Sequence, residues 1–264
     1  MESTDRPSGS SVLRTVTLTA VAGIPDIRPG ISLPGILVTA LEEYGPRPVT
    51  GDVLVVAQKV VSKAEGSVVD LSRIAPGEDA VRLGAETRKD PRLVEVILGE
   101  SARVVRVQHG VLITEHRLGF ICANGGVDHS NVGLGADVVS LLPRDPDASA
   151  RAIRQALAEG FGAGVAVIIN DSHGRPHREG AVGVCIGASG LEPLLSLVGR
   201  ADLYGYTLRT SVEAVADELA AAATLLQGQC DEGTPAVLIR GVSVPQGAGG
   251  AGRLLRDPAR DLFR

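Results

Sequence analysis

At 264 residues, with 44% hydrophobic and 22% charged residues, the chain has the make-up of an ordinary globular protein, long enough for one large domain or two small ones. Its formal net charge of -5, its 2% aromatic content and the absence of any basic stripe exclude the electrostatic and stacking terms that nucleic-acid binding needs. Three cysteines, Cys122, Cys185 and Cys230, stand far apart with no CxxC pair, which fits a reducing cytoplasm better than a disulfide framework or a zinc site. The polar N-terminus carries no apolar signal segment, and no run approaches the roughly 18 apolar residues of a membrane span.

Residues 1–11 read as a flexible arm, and the domain proper as 12–244. Alternation of Val16, Leu18 and Ala20 with threonines predicts a first strand. The Pro/Gly loop GIPDIRPG follows, then a helix over Leu33 to Glu43, and then DVLVVAQKVV, read as a strand buried on both faces. Asp90 before Pro91 has the form of a helix cap with proline in the first turn, opening a helix through about Gly99. Short strands are expected at Ala102–Val107, Val111–Thr114 and Gly119–Ala123. DPDASARAIRQALAEG reads as a capped helix feeding the strand GVAVIIN, which is expected to stop at a polar turn, DSHGR. AVGVCIG is a further strand, a long helix runs from Ser211 to near Gly228, and PAVLIRG is the last strand. Alternating strands and helices, interrupted by adjacent strands in the middle, predict a mixed α/β fold, a mixed sheet flanked by helices. The Gly/Pro-rich tail, 245–264, is expected to be extended or mobile.

Familiar nucleotide signatures are missing or misleading. No GxxxxGK[ST] string occurs. Gly247, Gly249 and Gly252 satisfy GxGxxG, but no strand leads into them and no helix with an acidic residue follows, so they read as a linker. His173 and His177 have the spacing of a helical zinc pair, yet Gly174 and Pro176 between them argue for a loop.

Two segments share a layout. FICANGGVDHSN and VAVIINDSHGR each run from an apolar strand into a small polar stretch with an aspartate, placing Asp128 and Asp171 at strand ends, where α/β sheets bind ligands. A hard cation such as Mg²⁺ or Mn²⁺ takes oxygen ligands, one or two of them carboxylates, with Ser172 and Asn131 as neutral helpers. An aspartate in such a stretch also serves to cap a turn, and the residues alone leave both readings open. Lys59 and Lys63 offer two point charges for phosphate beyond a buried strand, or are simply solvated there. In LLQGQCDEG, Gly228 is explained by a helix C-cap, and equally by a loop that brings backbone donors to a phosphate.

Taken together, GIPDIRPG, GDVLVVAQKVVSKAEG, GFICANGGVDHSNV, VIINDSHGRPHREGAVGVCIGASG, DLYGYTLRTSVEAVADELA and GTPAVLIRG resemble the coenzyme F420-0:L-glutamate ligase family, over about Val16 to Gly241. That family includes stand-alone archaeal enzymes and the N-terminal half of a longer actinobacterial protein, which goes on into a nitroreductase-like domain where this sequence stops; whether the chain is naturally short is left open. The resemblance implies a mixed α/β homodimer that uses GTP to phosphorylate the lactyl carboxylate of F420-0. L-Glutamate then displaces phosphate to form an amide, and further glutamates are added through γ-linkages. It also implies two divalent cations, Mg²⁺ or Mn²⁺, with a monovalent cation such as K⁺ as a further candidate. Carried over by position, Ile24, Pro25, Asp26 and Ile27 match the loop that meets GTP, and Lys63, Asn131, Gln227 and Gly228 match further nucleotide contacts. Lys59 ranks below Lys63. Asp128 and Asp171 match the ligands of one cation, Ser172 and Gln229 those of a second. Archaeal members have a glutamate in place of Gln229, and an amide oxygen brings no charge, so a weaker second cation is expected. Arg175, Arg178 and Arg209 are the basic residues left for the deazaflavin. The rival readings are a ligase for another carboxylate and a non-catalytic deazaflavin-binding module.

Overall fold

The computed structural model describes residues 14–262, so the arm at 1–11 lies outside the described residues. A five-stranded sheet forms the body, in the order β1 (Thr17–Ala20), β12 (Ala236–Arg240), β2 (Val53–Ala57), β8 (Ala166–Arg175), β9 (Arg178–Ser189). β2 and β8 pair parallel and their neighbours pair antiparallel, so the sheet is mixed as expected. Val53 to Val56 and Val167 to Ile169 are fully buried, which is why both strands read as unbroken apolar runs.

Helices cover both faces. Ile169 lies opposite Gly187 while Asn170 lies opposite Cys185, so a bulge in β9 turns Gly183 and Gly187 to opposite sides. A Cβ on Gly183 would sit 2.4 Å from the Ala220 carbonyl oxygen of α6 (Val215–Gln227), and one on Gly187 would sit 2.6 Å from the Pro146 backbone of α5 (Pro146–Phe161). The two helices therefore sandwich β9 at van der Waals range. Each repairs the bulge with a carboxylate: the amide of Cys185 donates to Asp217 of α6 and that of Ala188 to Asp147 of α5, both at 2.8 Å. Burial pushes the Asp217 carboxyl above its ordinary value. α1 (Leu33–Glu43) packs against α5, where Gly160 accommodates Val38.

A smaller lobe sits between β2 and β8 in the chain. α3 (Glu78–Thr87) and α4 (Pro91–Glu100) bury Leu83, Val94 and Ile97 against the antiparallel sheet of β4 (Ser101–Gln108), β5 (Val111–His116) and β6 (Ile121–Ala123). A separate pair, β3 (Val68–Asp70) with β7 (Val138–Ser140), leads the chain into and out of it. Asp90 caps α4 through the Arg92 amide and Asp145 caps α5 through that of Ala148, as the Asp-Pro pairs predict. A last hairpin, β10 (Leu195–Ser196) with β11 (Val212–Glu213), projects outward.

Four expectations are corrected. DVLVVAQKVV is not one strand: β2 ends at Ala57 and α2 (Gln58–Glu65) begins at once, closed by left-handed Gly66. DSHGR is not a turn, because its backbone is paired with β9 out to Arg175, and the hairpin tip lies at Pro176 and His177. The last long helix starts at Val215 instead of Ser211. The tail is irregular up to Gly250 but is anchored beyond it rather than mobile: Ala251 is buried, its amide donates to Asp147 at 3.0 Å, and Arg253 pairs with Glu192 at 3.0 Å.

Because the Gly183 position has no room for a methyl group, Gly183→Ala is expected to force α6 off the sheet and to cost about 1–3 kcal/mol. Chemical denaturation of the purified variant measures it.

Candidate nucleotide and cation site

β8 outruns its parallel partner. β2 stops opposite Asn170, and from Asp171 onward the edge of β8 that β2 would have covered is open. Beside that edge lies a cleft of about 510 Å³, at the carboxyl ends of the two parallel strands. Its walls come from four places: the 24–27 loop, α2, the 128–131 loop and the loop after α6. Ile24, Pro25, Asp26, Ile27, Lys63, Asp128, Asn131, Asp171, Ser172, Gln227, Gly228 and Gln229 all line this one cleft.

The turn of chain at the end of β2 explains where the lysines are. α2 starts at the cleft floor, so Lys59 and Lys63, one helical turn apart, present their ammonium groups inward rather than being solvated at a strand end. Lys63 Nζ is 2.6 Å from Asp26 Oδ1, and its side chain is 7% exposed. This pair, buried Ile27 and the Gly30 amide's hydrogen bond to the Ala64 carbonyl pin the GIPDIRPG loop over α2. The Lys63 ammonium also holds the Asp26 carboxyl below the usual carboxylate range.

Lys59 Nζ lies 2.5 Å from Asp128 Oδ2. Asp128 follows a short 3₁₀ turn after β6 and is fixed by mutual backbone hydrogen bonds with Ser140, while Ser130 donates its amide to Oδ1 and its hydroxyl to Oδ2. Burial pushes the Asp128 carboxyl up, but Lys59 and Ser130 together outweigh it and leave it below the ordinary value. Asp171 stands on β8, and His173, two residues on along the same face of that strand, contacts its Oδ2 through Nε2 at 3.0 Å. His173, expected in a loop, is thus a strand residue packed edge-on against Phe120.

The loop after α6 closes the cleft. Gln227 exchanges two amide hydrogen bonds with Asn170, at 2.7 and 3.1 Å, so its side chain ties α6 to the end of β8. Gln229 Nε2 donates to Ser172 Oγ at 2.7 Å, and Asn131 Nδ2 donates to the Cys230 carbonyl at 3.0 Å, joining the two loops across the opening. Gly228 and Gly233 have positive φ, which curls the loop until the Glu232 carboxylate lies against Gly228 and accepts from the Cys230 amide at 2.8 Å. These backbone donors hold the Glu232 carboxyl below its ordinary value.

Gln58, Ser130, Asn170 and Glu232 also line the cleft and were not singled out from the sequence. Asn170 carried a usable signal, a lone polar residue at the end of a buried run. Arg175 and Arg178 lie at the hairpin tip and Arg209 is exposed in the outer hairpin; none lines the cleft. Among the described residues no group of three or more His, Cys, Asp or Glu gathers to hold a metal ion; the expected cation donors that line the cleft are the carboxylates of Asp128 and Asp171, the Ser172 hydroxyl and the Gln229 amide.

Residues 23–241 match the family model described as F420-0:Gamma-glutamyl ligase. The chain belongs to that family. It is 48% identical over 253 residues to the protein named Coenzyme F420:L-glutamate ligase of Methanothermobacter thermautotrophicus, covering 94% of this chain and 99% of the relative. The proteins of the same name from Methanopyrus kandleri and Methanocaldococcus jannaschii are 48% and 46% identical. Those matches cover 90% and 81% of this chain and 93% and 85% of the relatives.

The thiols test the packing around the site. Burial, aided by the Asp171 charge, pushes the Cys122 thiol up to about 12, and burial raises that of Cys185 too, whereas Cys230 is exposed at the cleft lip. Iodoacetamide at neutral pH is expected to label Cys230 alone in the folded chain and all the cysteines after denaturation, as read by peptide mass spectrometry.

Proposed function

We propose that this chain is a GTP-dependent ligase that joins L-glutamate to the lactyl carboxylate of coenzyme F420-0, working in the cytoplasm, and that it extends the product with γ-linked glutamates. The observation that carries the reading is the convergence in one cleft of two lysines, two aspartates from distant parts of the chain and a glycine-bracketed loop, in a chain nearly half identical to proteins of that name. Together these are parts a phosphoryl transfer requires.

The chemistry sets the demand. The carboxylate oxygen attacks the γ-phosphorus and GDP leaves; the glutamate amine then attacks the acyl carbon, loses a proton, and inorganic phosphate leaves. The first step brings a carboxylate against a triphosphate, and its cost is mainly electrostatic. Lys63, largely buried and fixed by Asp26, puts a positive charge at the cleft floor where phosphate enters. Backbone amides of the Gly228–Gly233 loop supply donors for phosphate oxygens once Glu232 yields them, and Asn131 and Gln227 hold that loop in place.

The donor set fits a hard divalent cation. Asp128 and Asp171 offer carboxylate oxygens beside Ser172 and Gln229, and the Lys59 ammonium on Asp128 marks a position that accepts positive charge. Two divalent cations, Mg²⁺ or Mn²⁺, would supply charge neutralisation at the phosphates, the first on Asp128 and Asp171 and the second on Ser172 and Gln229. A monovalent cation such as K⁺ is a further candidate. No protein nucleophile is required, in keeping with Cys122 and Cys185 held as neutral thiols in the core.

Mass spectrometry of products from F420-0, GTP, Mn²⁺ and glutamate tests the reading, each component omitted in turn. Glutamylated product that needs all of them, and that falls at least a hundredfold in Asp171→Ala, is expected. GTP turnover independent of F420-0 would point to a ligase for another carboxylate, and ligation unimpaired in Asp171→Ala would remove the cation site from the mechanism.

The chain is further read as a homodimer. The outer hairpin exposes Leu203 (81%), Tyr204 (93%) and Tyr206 (58%) together, a cluster that a monomer would leave in water. Sedimentation is expected to give a dimer mass, shifted toward monomer in a Leu203→Glu, Tyr204→Glu double variant.

A further inference from the structure

We propose that Lys59 is a surrogate cation: in the nucleotide-free cleft its ammonium holds the place on Asp128 that a divalent cation takes, and it transfers to phosphate when cation and nucleotide bind together. This rests on the reading of Asp128 as a cation ligand given above.

Geometry makes the two occupants exclusive. Asp128 Oδ2 already receives the Lys59 ammonium at 2.5 Å and the Ser130 hydroxyl at 2.7 Å, and Oδ1 receives the Ser130 amide at 2.9 Å. Mg²⁺, for example, binds a carboxylate oxygen at about 2.0–2.1 Å. It would then stand against a full positive charge on the same oxygen, at a separation of a few ångström where two cations repel strongly. One of the two has to leave. Lys59 is the one able to do so, because its charge rides on a flexible four-carbon stem, whereas Asp128 is fixed by its backbone pairing with Ser140.

Where the ammonium goes is also set by the fold. α2 is short, starts directly from β2 and is braced by the Ser62 hydroxyl donating to Gln58 Oε1 at 2.9 Å, so the base of Lys59 stays put while its tip swings. Lys59 is 16% exposed and lines the cleft on the same helix as Lys63, one turn earlier. Of the other carboxylates lining that cleft, Asp26 is occupied by Lys63, Asp171 contacts His173, Glu232 accepts from the Cys230 amide and Asp231 is exposed in the loop after α6. Without a nucleotide, a cation entering at Asp128 strands the Lys59 charge. With one, the phosphates take it.

Cation and nucleotide binding are therefore linked, each raising the affinity for the other through one side chain. The linkage keeps the cation from settling in an empty cleft, and it delivers a second lysine to the phosphates only when the cation has arrived.

Binding of Mn²⁺ to the full chain, followed by the electron paramagnetic resonance signal of the free ion with and without GDP, tests the exchange. The proteins compared are the wild type, Lys59→Met, Lys59→Gln and, as the control for the site, Asp128→Asn. Circular dichroism confirms folding; Lys59→Gln, the closest neutral match in length, decides the matter if the methionine variant does not fold. Removing the ammonium is expected to tighten Mn²⁺ binding at least tenfold in the absence of nucleotide and to shrink the enhancement by GDP at least tenfold, while Asp128→Asn loses the site in every background. Unchanged or weaker Mn²⁺ binding in the nucleotide-free Lys59 variants, with Asp128→Asn still defective, would overturn the exchange and leave the cation site standing. Mn²⁺ binding that ignores Asp128→Asn would overturn both.

Discussion

The parallel pairing of β2 with β8 is the constraint from which the site follows. Because β2 ends opposite Asn170 while β8 continues to Arg175, the sheet has a step in it, and a step in a sheet leaves a strand edge whose polar groups face open space. Everything that forms the cleft is attached to one side or other of this step. α2 springs from the short strand, Asp171 and Ser172 stand on the long one, and the loop after α6 is tied to its first free residue through Asn170 and Gln227. The smaller lobe, inserted between the two strands, contributes Asp128 from above. A fold with equal strands would have closed that edge with hydrogen bonds and had no room for a ligand.

The cleft's electrostatics are balanced by its own side chains. Lys63 meets Asp26, Lys59 meets Asp128, His173 meets Asp171, and the backbone donors of the last loop meet Glu232. Bringing this many charged groups together under partial burial is costly unless each has a partner. The pairing explains how a cleft this densely charged stays folded. It also explains why no three metal-binding side chains lie bunched among the described residues: such a bunch would repel itself in the ion's absence.

Much of the scaffold was legible from sequence because its signals are local. Asp90-Pro91 and Asp145-Pro146 announce helix starts through geometry confined to a few residues, and α1 spans Leu33–Glu43 as expected. Elements decided by distant partners were not. The valines of VVAQKVV suit a strand, and only the glycine at position 66 hinted that a helix begins at Gln58. DSHGR is polar enough for a turn, yet antiparallel pairing with β9 makes it strand. The bulge that sends Gly183 and Gly187 to opposite helices depends on Asp217 and Asp147, remote in the chain. The site shows the same division. Asp128 and Asp171 each stood out locally, but that they share a cleft is a fact of topology, and resemblance to a family supplied it. Glu232 left no trace in the sequence because its partners are backbone amides.

The loop that bends around Glu232 carries one more implication. Backbone donors gathered by a curled glycine loop make a seat for an anion, and here the seat is kept warm by the protein's own carboxylate. A segment shaped in advance surrenders little conformational freedom when the true guest arrives, so the entropy of ordering it is spent during folding and not during each catalytic cycle. The cost falls instead on evicting an acid that sits fully in water once released, a cheap exchange. Binding strength at this lip is thereby traded for ease of release, which suits a site that has to be emptied between one round and the next.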